Sequence, residues 1–233
     1  MNWQEIIEID KQLLLYLNGS DSLFWDGVMM TATATITWIP LACVLFYVLI
    51  KNNNMREMLL IVGLIAFTIL LADQFSSSFC KPFFHRFRPT HDPIIMYQVD
   101  VVNNYRGGMY GFISSHAANT FGVFVFLTLL IKNTCFTYSL LSWALLNCYT
   151  RIYLGVHYPG DILCGTLWGI LVGLLTYYIY VRAHKRISSN RAYFSSQYTS
   201  TGYLTADVHL LIFAILLSYL YIIVKGIYWA AMM

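Results

Sequence analysis

Six long apolar runs govern what this chain can fold into. They cover roughly residues 29–50, 58–79, 115–131, 136–150, 162–181 and 208–227, and Asp73 and Lys225 are the charged residues inside them. A helix needs about 20 apolar residues to cross the hydrocarbon core of a bilayer. In that solvent each backbone N–H and C=O must be bonded within the protein, which leaves runs of this kind helical. The expected fold class is therefore all-α: a polytopic membrane bundle of about six transmembrane helices, forming one domain over residues 1–233. The run at 136–150 is short and is expected to tilt or to begin earlier. The charged fraction of 11% lies far below the roughly 25% of a soluble domain. The net charge of +3 is small and its basic residues are scattered, which argues against nucleic acid as a partner. Cys43, Cys80, Cys135, Cys148 and Cys164 have no metal-like spacing and read as small core residues. The opening residues lack the basic start and apolar run of a cleaved signal peptide, so the spans themselves are expected to direct insertion.

Residues 1–20 follow a different pattern. Ile6, Ile7, Ile9, Leu13, Leu14 and Leu17 recur near helical spacing, with Glu5, Glu8, Asp10 and Lys11 between them. This is an amphipathic helix, expected to lie in the membrane interface or against the end of the bundle.

Orientation follows from Lys and Arg in short loops. Lys51, Arg56, Lys132, Arg182, Lys185, Arg186 and Arg191 fall at one end of the expected bundle, the last four in a loop over 183–206 or at its edge. That end is taken as cytoplasmic. Lys81, Arg86, Arg88, Arg106 and Arg151 fall at the other end, next to a long loop over 90–112. The bias becomes clear if the second group is kept for chemistry, which points the active face to the periplasm or outside.

The second group has company. Lys81 and Arg88 follow the second run, Ser114, Ser115 and His116 open the third, and Arg151 ends the fourth. His157 and Asp161 precede the fifth. An antiparallel bundle brings all of these to one face. Three fixed cations, two imidazoles and a carboxylate suit phosphoryl transfer, where positioned donors carry most of the catalysis. The two arginines can each fork onto two phosphate oxygens, and Lys81 adds a point charge. Ser114 and Ser115 are N-cap candidates whose turn offers free N–H groups to an anion. Pro159-Gly160 reads as a turn that folds Asp161 back onto one ring nitrogen of His157, leaving the other nitrogen free to attack. The plainer reading of any single arginine here is an anchor for lipid headgroups. Asp73, inside the second run, is expected to pair with Lys81 or an arginine. His85 and Arg86 are expected in a solvated loop, and the 90–112 loop is expected to shape headgroup selection.

These residues resemble the type 2 phosphatidic acid phosphatases, a family whose site is shared with vanadium haloperoxidases. The first family motif, Lys-x6-Arg-Pro, matches at Lys81, Arg88 and Pro89. The third, Ser-Arg-x5-His-x3-Asp, matches at Arg151, His157 and Asp161, with Thr150 in place of serine. The second, Pro-Ser-Gly-His, is represented by Ile113-Ser114-Ser115-His116, which lacks the proline and the glycine. The motifs extend over 81–161. The resemblance implies His157 as the nucleophile that becomes phosphohistidine, Asp161 as its orienting partner and His116 as the acid and then the base. It implies Lys81, Arg88, Arg151, Ser114 and the backbone of Ser115 as the phosphate cradle, with no metal and no cofactor.

The function expected is that of an integral membrane lipid phosphatase in the cytoplasmic membrane of a bacterium. Its candidate substrates are phospholipid, polyprenyl and lipid A phosphates: undecaprenyl diphosphate, lipid A, phosphatidylglycerophosphate and phosphatidic acid. A phosphotransferase would use the same phosphohistidine, and a lipid transporter or lipid-binding protein would use the basic vestibule without chemistry. A haloperoxidase is disfavoured by the apolar composition.

Overall fold

A computed structural model describes residues 2–187 and 196–232; Arg191 and the middle of the expected cytoplasmic loop lie outside the described residues. Helices dominate: α1 (Trp3–Leu17), α2 (Leu23–Thr33), α3 (Ile39–Asn52), α4 (Met55–Gln74), α5 (Lys81–Phe84), α6 (Ser115–Ile131), α7 (Thr134–Tyr153), α8 (Pro159–Ile187) and α9 (Thr205–Met232). Among the described residues, four helical stretches are long and apolar enough to cross a membrane: Thr35–Asn52, Met55–Phe84, Pro159–Ile187 and Thr205–Met232. The apolar α6 has 17 residues, the lower end of what spans a bilayer, and the more polar α7 has 20. Leu163, Leu167, Leu171 and Leu174 on α8, and Phe213 and Leu217 on α9, are exposed. Contiguous apolar faces of this size belong against lipid. The chain is a multi-pass membrane protein.

The first expected span is broken. Helix α2 stops at Thr33, a 3-10 turn covers Thr35–Trp38, and α3 then starts with Pro40 in its first turn. The carbonyls freed at the break are taken by side chains: Thr37 Oγ1 donates to Thr31 O at 2.6 Å and Trp38 Nε1 to Ala32 O at 2.8 Å. The second span is longer than the apolar run. It starts at a capping box of Asn54 and Glu57 and continues through a π-helical stretch, Phe75–Cys80, into α5. A π turn inserts extra chain into a helix and rotates the residues beyond it. Lys81 therefore lies in the helix and not in the loop after it. Helices α7, α8 and α9 also outrun their apolar cores.

Helices α6 and α8 form the centre of the bundle. Gly165, Gly169 and Gly173 recur every fourth residue on α8 and meet the α6 backbone directly. A Cβ on Gly165 would lie 2.4 Å from Ser114 O, one on Gly169 2.3 Å from Ala118 O, and one on Gly173 2.7 Å from Gly122 O. Small residues of this kind let two helices in lipid approach to backbone contact. On the other side, buried Thr68 of α4 donates to Thr176 of α8 at 2.9 Å.

The two ends of the bundle differ. At one end Lys51 Nζ lies 2.7 Å from Asp207 Oδ1, Leu204 N donates to Asn52 Oδ1 at 2.8 Å, and Thr201 Oγ1 donates to Ile131 O at 2.9 Å. A core of Leu49, Ile61, Leu130, Phe136 and Leu211 sits beneath. The opposite end gathers Lys81, Ser115, Arg151 and His157, as antiparallel order requires. Helix α1 packs there through Leu14, which joins Ile95, Val99 and Tyr158, while Trp3, Ile6, Ile7, Ile9 and Leu13 stay exposed. All five cysteines are unpaired; Cys80 and Cys148 are buried, but Cys43 and Cys135 face outward, so only part of that set is core.

Candidate active site

Each cationic group at this end is held by its own local structure. Lys81 Nζ donates to Ser115 Oγ at 3.0 Å and to Ser77 Oγ at 3.1 Å. Ser77 in turn donates to Asp73 Oδ1 at 3.2 Å, so Asp73 reaches Lys81 through a hydroxyl and not by the direct pair expected. Arg88 follows a short antiparallel pairing of residues 86–88 with 109–111, built by Arg88 N on Met109 O and Gly111 N on Arg86 O, both at 2.9 Å. Its Nε donates to Tyr110 O at 3.2 Å. Two glycines make room for it. Gly107 has φ +67°, and a Cβ there would lie 2.6 Å from Arg88 Nη1; a Cβ on Gly111 would lie 3.1 Å from both Arg88 Cγ and Asp161 Oδ2. Arg151 lies in the last turn of α7. It donates from Nη1 to Thr33 Oγ1 at 2.7 Å and from Nη2 to Tyr105 OH at 3.1 Å.

Ser114 caps α6, accepting from Ala117 N at 3.4 Å. Its backbone N–H is used by Asp161 O at 3.1 Å, which ties the start of α6 to the start of α8. His116 follows in the first turn, beside the Asn147 side chain. His157 sits in the turn between α7 and α8 and is almost wholly buried. Its Nδ1 is 3.5 Å from Asp161 Oδ2, close but short of a well-aligned hydrogen bond. Burial holds the imidazole pKa well below its usual value, and the cations Arg88, Arg151 and Lys81 and the ring of His116 push it the same way. The three expected cations and the second histidine thus converge on one imidazole. Arg151 Nε, His116 Nε2 and His157 Nδ1 are buried without hydrogen-bond partners.

Pro159 and Gly160 do not form the expected turn. Pro159 opens α8, the first-turn position proline favours because its missing N–H is not needed there. Asp161 thus stands in the first helical turn and still faces His157. Its two oxygens are both engaged: Oδ2 accepts from Tyr158 N at 3.1 Å, and Oδ1 accepts from Arg86 Nη1 at 2.8 Å. Arg86 is therefore no solvated loop residue. Its other arm, Nη2, reaches Asp10 Oδ2 at 2.6 Å, while its neighbour His85 remains exposed.

Asn147, Thr33 and Asp10 were not legible as site neighbours, and Arg86, expected at this end, was expected in a solvated loop and not on Asp161. Asn147 carried one signal, a buried amide four residues before Arg151 in an apolar helix. Ser115 stands where the family motif has glycine, and its hydroxyl is used by Lys81.

The PAP2 superfamily matches residues 57–185. A "Lipid A 4'-phosphatase" of Bacteroides thetaiotaomicron is 41% identical over 184 residues, 78% of this chain and 82% of that protein. Another "Lipid A 4'-phosphatase", of Porphyromonas gingivalis, is 39% identical over 181 residues, 78% of this chain and 77% of that protein. Among solved structures, a PAP2 type phosphatidylglycerolphosphate phosphatase from Bacillus subtilis shares the fold, with a TM-score of 0.55, 20% identity, and coverage of 81% of this chain and 89% of that one. With the family matched over more than half its length and close relatives over most of it, the chain belongs to the PAP2 superfamily and is a membrane lipid phosphatase.

Proposed function

We propose that this enzyme removes a phosphate from lipid A or a lipid A-like saccharolipid, at the outer face of a bacterial cytoplasmic membrane, through a phosphohistidine on His157. The substrate rests on the two lipid A 4'-phosphatases, alike over about four-fifths of their lengths. The chemistry rests on one observation: a buried His157 with Asp161 Oδ2 against its Nδ1 at 3.5 Å and three cations around it. The whole chain acts as one catalytic domain.

With a proton on Nδ1, facing Asp161, the other ring nitrogen of His157 attacks phosphorus. The bond from phosphorus to the sugar oxygen breaks, and His116 gives its proton to the leaving oxygen. The phosphate dianion in the cradle is the countercharge that keeps His116 protonated until then. The now neutral His116 takes a proton from water, the water attacks the phosphohistidine, and inorganic phosphate leaves as the P–N bond breaks. Lys81, Arg88 and Arg151 bind the equatorial oxygens, joined by the first-turn N–H groups at Ser115. A buried donor left unpaired costs about 1–3 kcal/mol; binding a phosphate oxygen removes that cost at Arg151 Nε. Tyr105, which holds Arg151, lies in the 90–112 loop and links headgroup selection to the cradle.

The test is phosphate release by purified protein in detergent with EDTA. The substrates are lipid A, undecaprenyl diphosphate, phosphatidylglycerophosphate and phosphatidic acid. The wild type is expected to act best on lipid A, and His157→Ala to lose activity by on the order of 10³-fold or more. Preference for another lipid would overturn the substrate; a fully active His157→Ala would overturn the mechanism. Phosphate appearing on an acceptor lipid and not in solution would make the enzyme a phosphotransferase.

A further inference from the structure

We propose that Asp10, delivered by the amphipathic helix α1, is a positioning residue for the His157–Asp161 pair, acting through Arg86. The proposal rests on the phosphohistidine reading above. The connection is continuous and short. Asp10 Oδ2 accepts from Arg86 Nη2 at 2.6 Å, Arg86 Nη1 donates to Asp161 Oδ1 at 2.8 Å, and Asp161 Oδ2 faces His157 Nδ1 at 3.5 Å. The other oxygen of Asp10 accepts from Gly160 N at 2.8 Å, so Asp10 grips both Arg86 and the first turn of α8, which carries Asp161.

Arg86 has little freedom while Asp10 is in place. Its guanidinium lies 4.2 Å over the Tyr158 ring, and Tyr158 OH is fixed by Asp92 Oδ2 at 2.8 Å. Removing the Asp10 carboxylate leaves the fork anchored at Asp161 alone and free to pivot about that arm. Asp161 would keep its charged donor, but on a guanidinium no longer fixed in place, and its carboxylate would be free to rotate about its last torsion. Its Oδ2 would then leave its place facing Nδ1 of His157, and the attacking nitrogen would be protonated in part of the population. The cost falls on the chemical step and not on substrate binding, because Asp10 bonds to Arg86 and to Gly160 N and not to Lys81, Arg88 or Arg151.

Helix α1 offers an internal control. Lys11, the next residue, pairs at 3.1 Å with Asp92 Oδ2, the oxygen that also fixes Tyr158 OH, so Lys11→Ala loosens α1 and the Tyr158 support while leaving both Asp10 contacts in place. The experiment measures kcat and KM for phosphate release, with thermal unfolding of each variant, for Asp10→Asn, Asp10→Glu, Lys11→Ala, Arg86→Ala, the Asp10→Asn/Arg86→Ala double variant and His157→Ala. Asp10→Asn is expected to lower kcat roughly 10- to 100-fold with KM within about twofold of wild type. Asp10→Glu should recover part of the loss, Lys11→Ala should keep most of the rate, and the double variant should be no slower than Arg86→Ala alone. A wild-type kcat in Asp10→Asn, an equal loss in Lys11→Ala, or additive losses in the double variant would each overturn the proposal and leave the phosphatase reading standing. A fully active His157→Ala would bring down the reading and the proposal together.

Discussion

At the residue scale, the site depends on keeping a histidine neutral in a cationic cavity. Burial and the surrounding Arg88, Arg151 and Lys81 depress the pKa of His157 in the folded protein, whereas in the unfolded chain it titrates near about 6.5. The unfolded state therefore binds more protons between those two values, and stability falls as pH drops through that window. The contribution of His157 is fully present above about pH 6.5 and shrinks below it. His157→Gln, which cannot titrate, should lose less thermal stability than wild type between pH 7 and pH 5; an equal slope for both proteins would refute this. The convergence of the proposed catalytic residues was legible because Lys-x6-Arg-Pro and Arg-x5-His-x3-Asp place rare polar types at fixed spacing. Arg86 was not, because charge in a loop next to an apolar run looks solvated. Only the three-dimensional return of α1 and α8 shows that it lies between two carboxylates.

At the element scale, the Ser114–Ser115 side of the proposed cradle stands where α6 and α8 touch backbone to backbone. Gly165 presses on the Ser114 carbonyl, one residue from Ser115 and two from His116. A methyl group on Gly165 forces the helix starts apart, since the atom it meets is backbone and cannot swing away. Gly165→Ala is expected to cost about 1–3 kcal/mol of stability and to lower activity with it. Gly63, on α4, has open space around it, so Gly63→Ala should leave activity intact and gain about 0.5–1 kcal/mol. Thermal unfolding and phosphate release on the two variants check the contrast, and equal behaviour would deny the close contact its role. Apolar runs revealed that these helices exist. They did not reveal the break at Ala34 or the π stretch before Lys81, because both arise where side chains and neighbouring helices satisfy backbone groups that a simple helix would bond itself. Pro159 misled for a related reason: proline followed by glycine reads as a turn in isolation, yet proline also suits the first position of a helix.

At the scale of the whole molecule, the bundle has one end that carries the proposed active site and one end where Lys51, Asp207 and the 196–204 segment meet. The Lys and Arg distribution puts the catalytic end outside the cytoplasm on the proposed reading. In a cysteine-free background, Tyr97→Cys in the 90–112 loop should react with a membrane-impermeant maleimide on intact cells stripped of their outer membrane. Lys185→Cys at the end of α8 should react only after permeabilisation; the reverse pattern would invert the topology. The helical bundle was readable from the apolar runs because hydrophobicity is a local property, although four stretches among the described residues, and not six, are long and apolar enough to span. The place of α1 was not readable, because an amphipathic helix carries no record of which distant surface it meets. That surface lies far along the chain: Asp10 meets Gly160 across 150 residues. At roughly 5–20 residues per second of synthesis, about 8–30 s separate the appearance of the two. Helix α1 is made well before its socket on α8, and its exposed Ile6, Ile9 and Leu13 give it somewhere to wait, flat on the membrane, until that socket arrives.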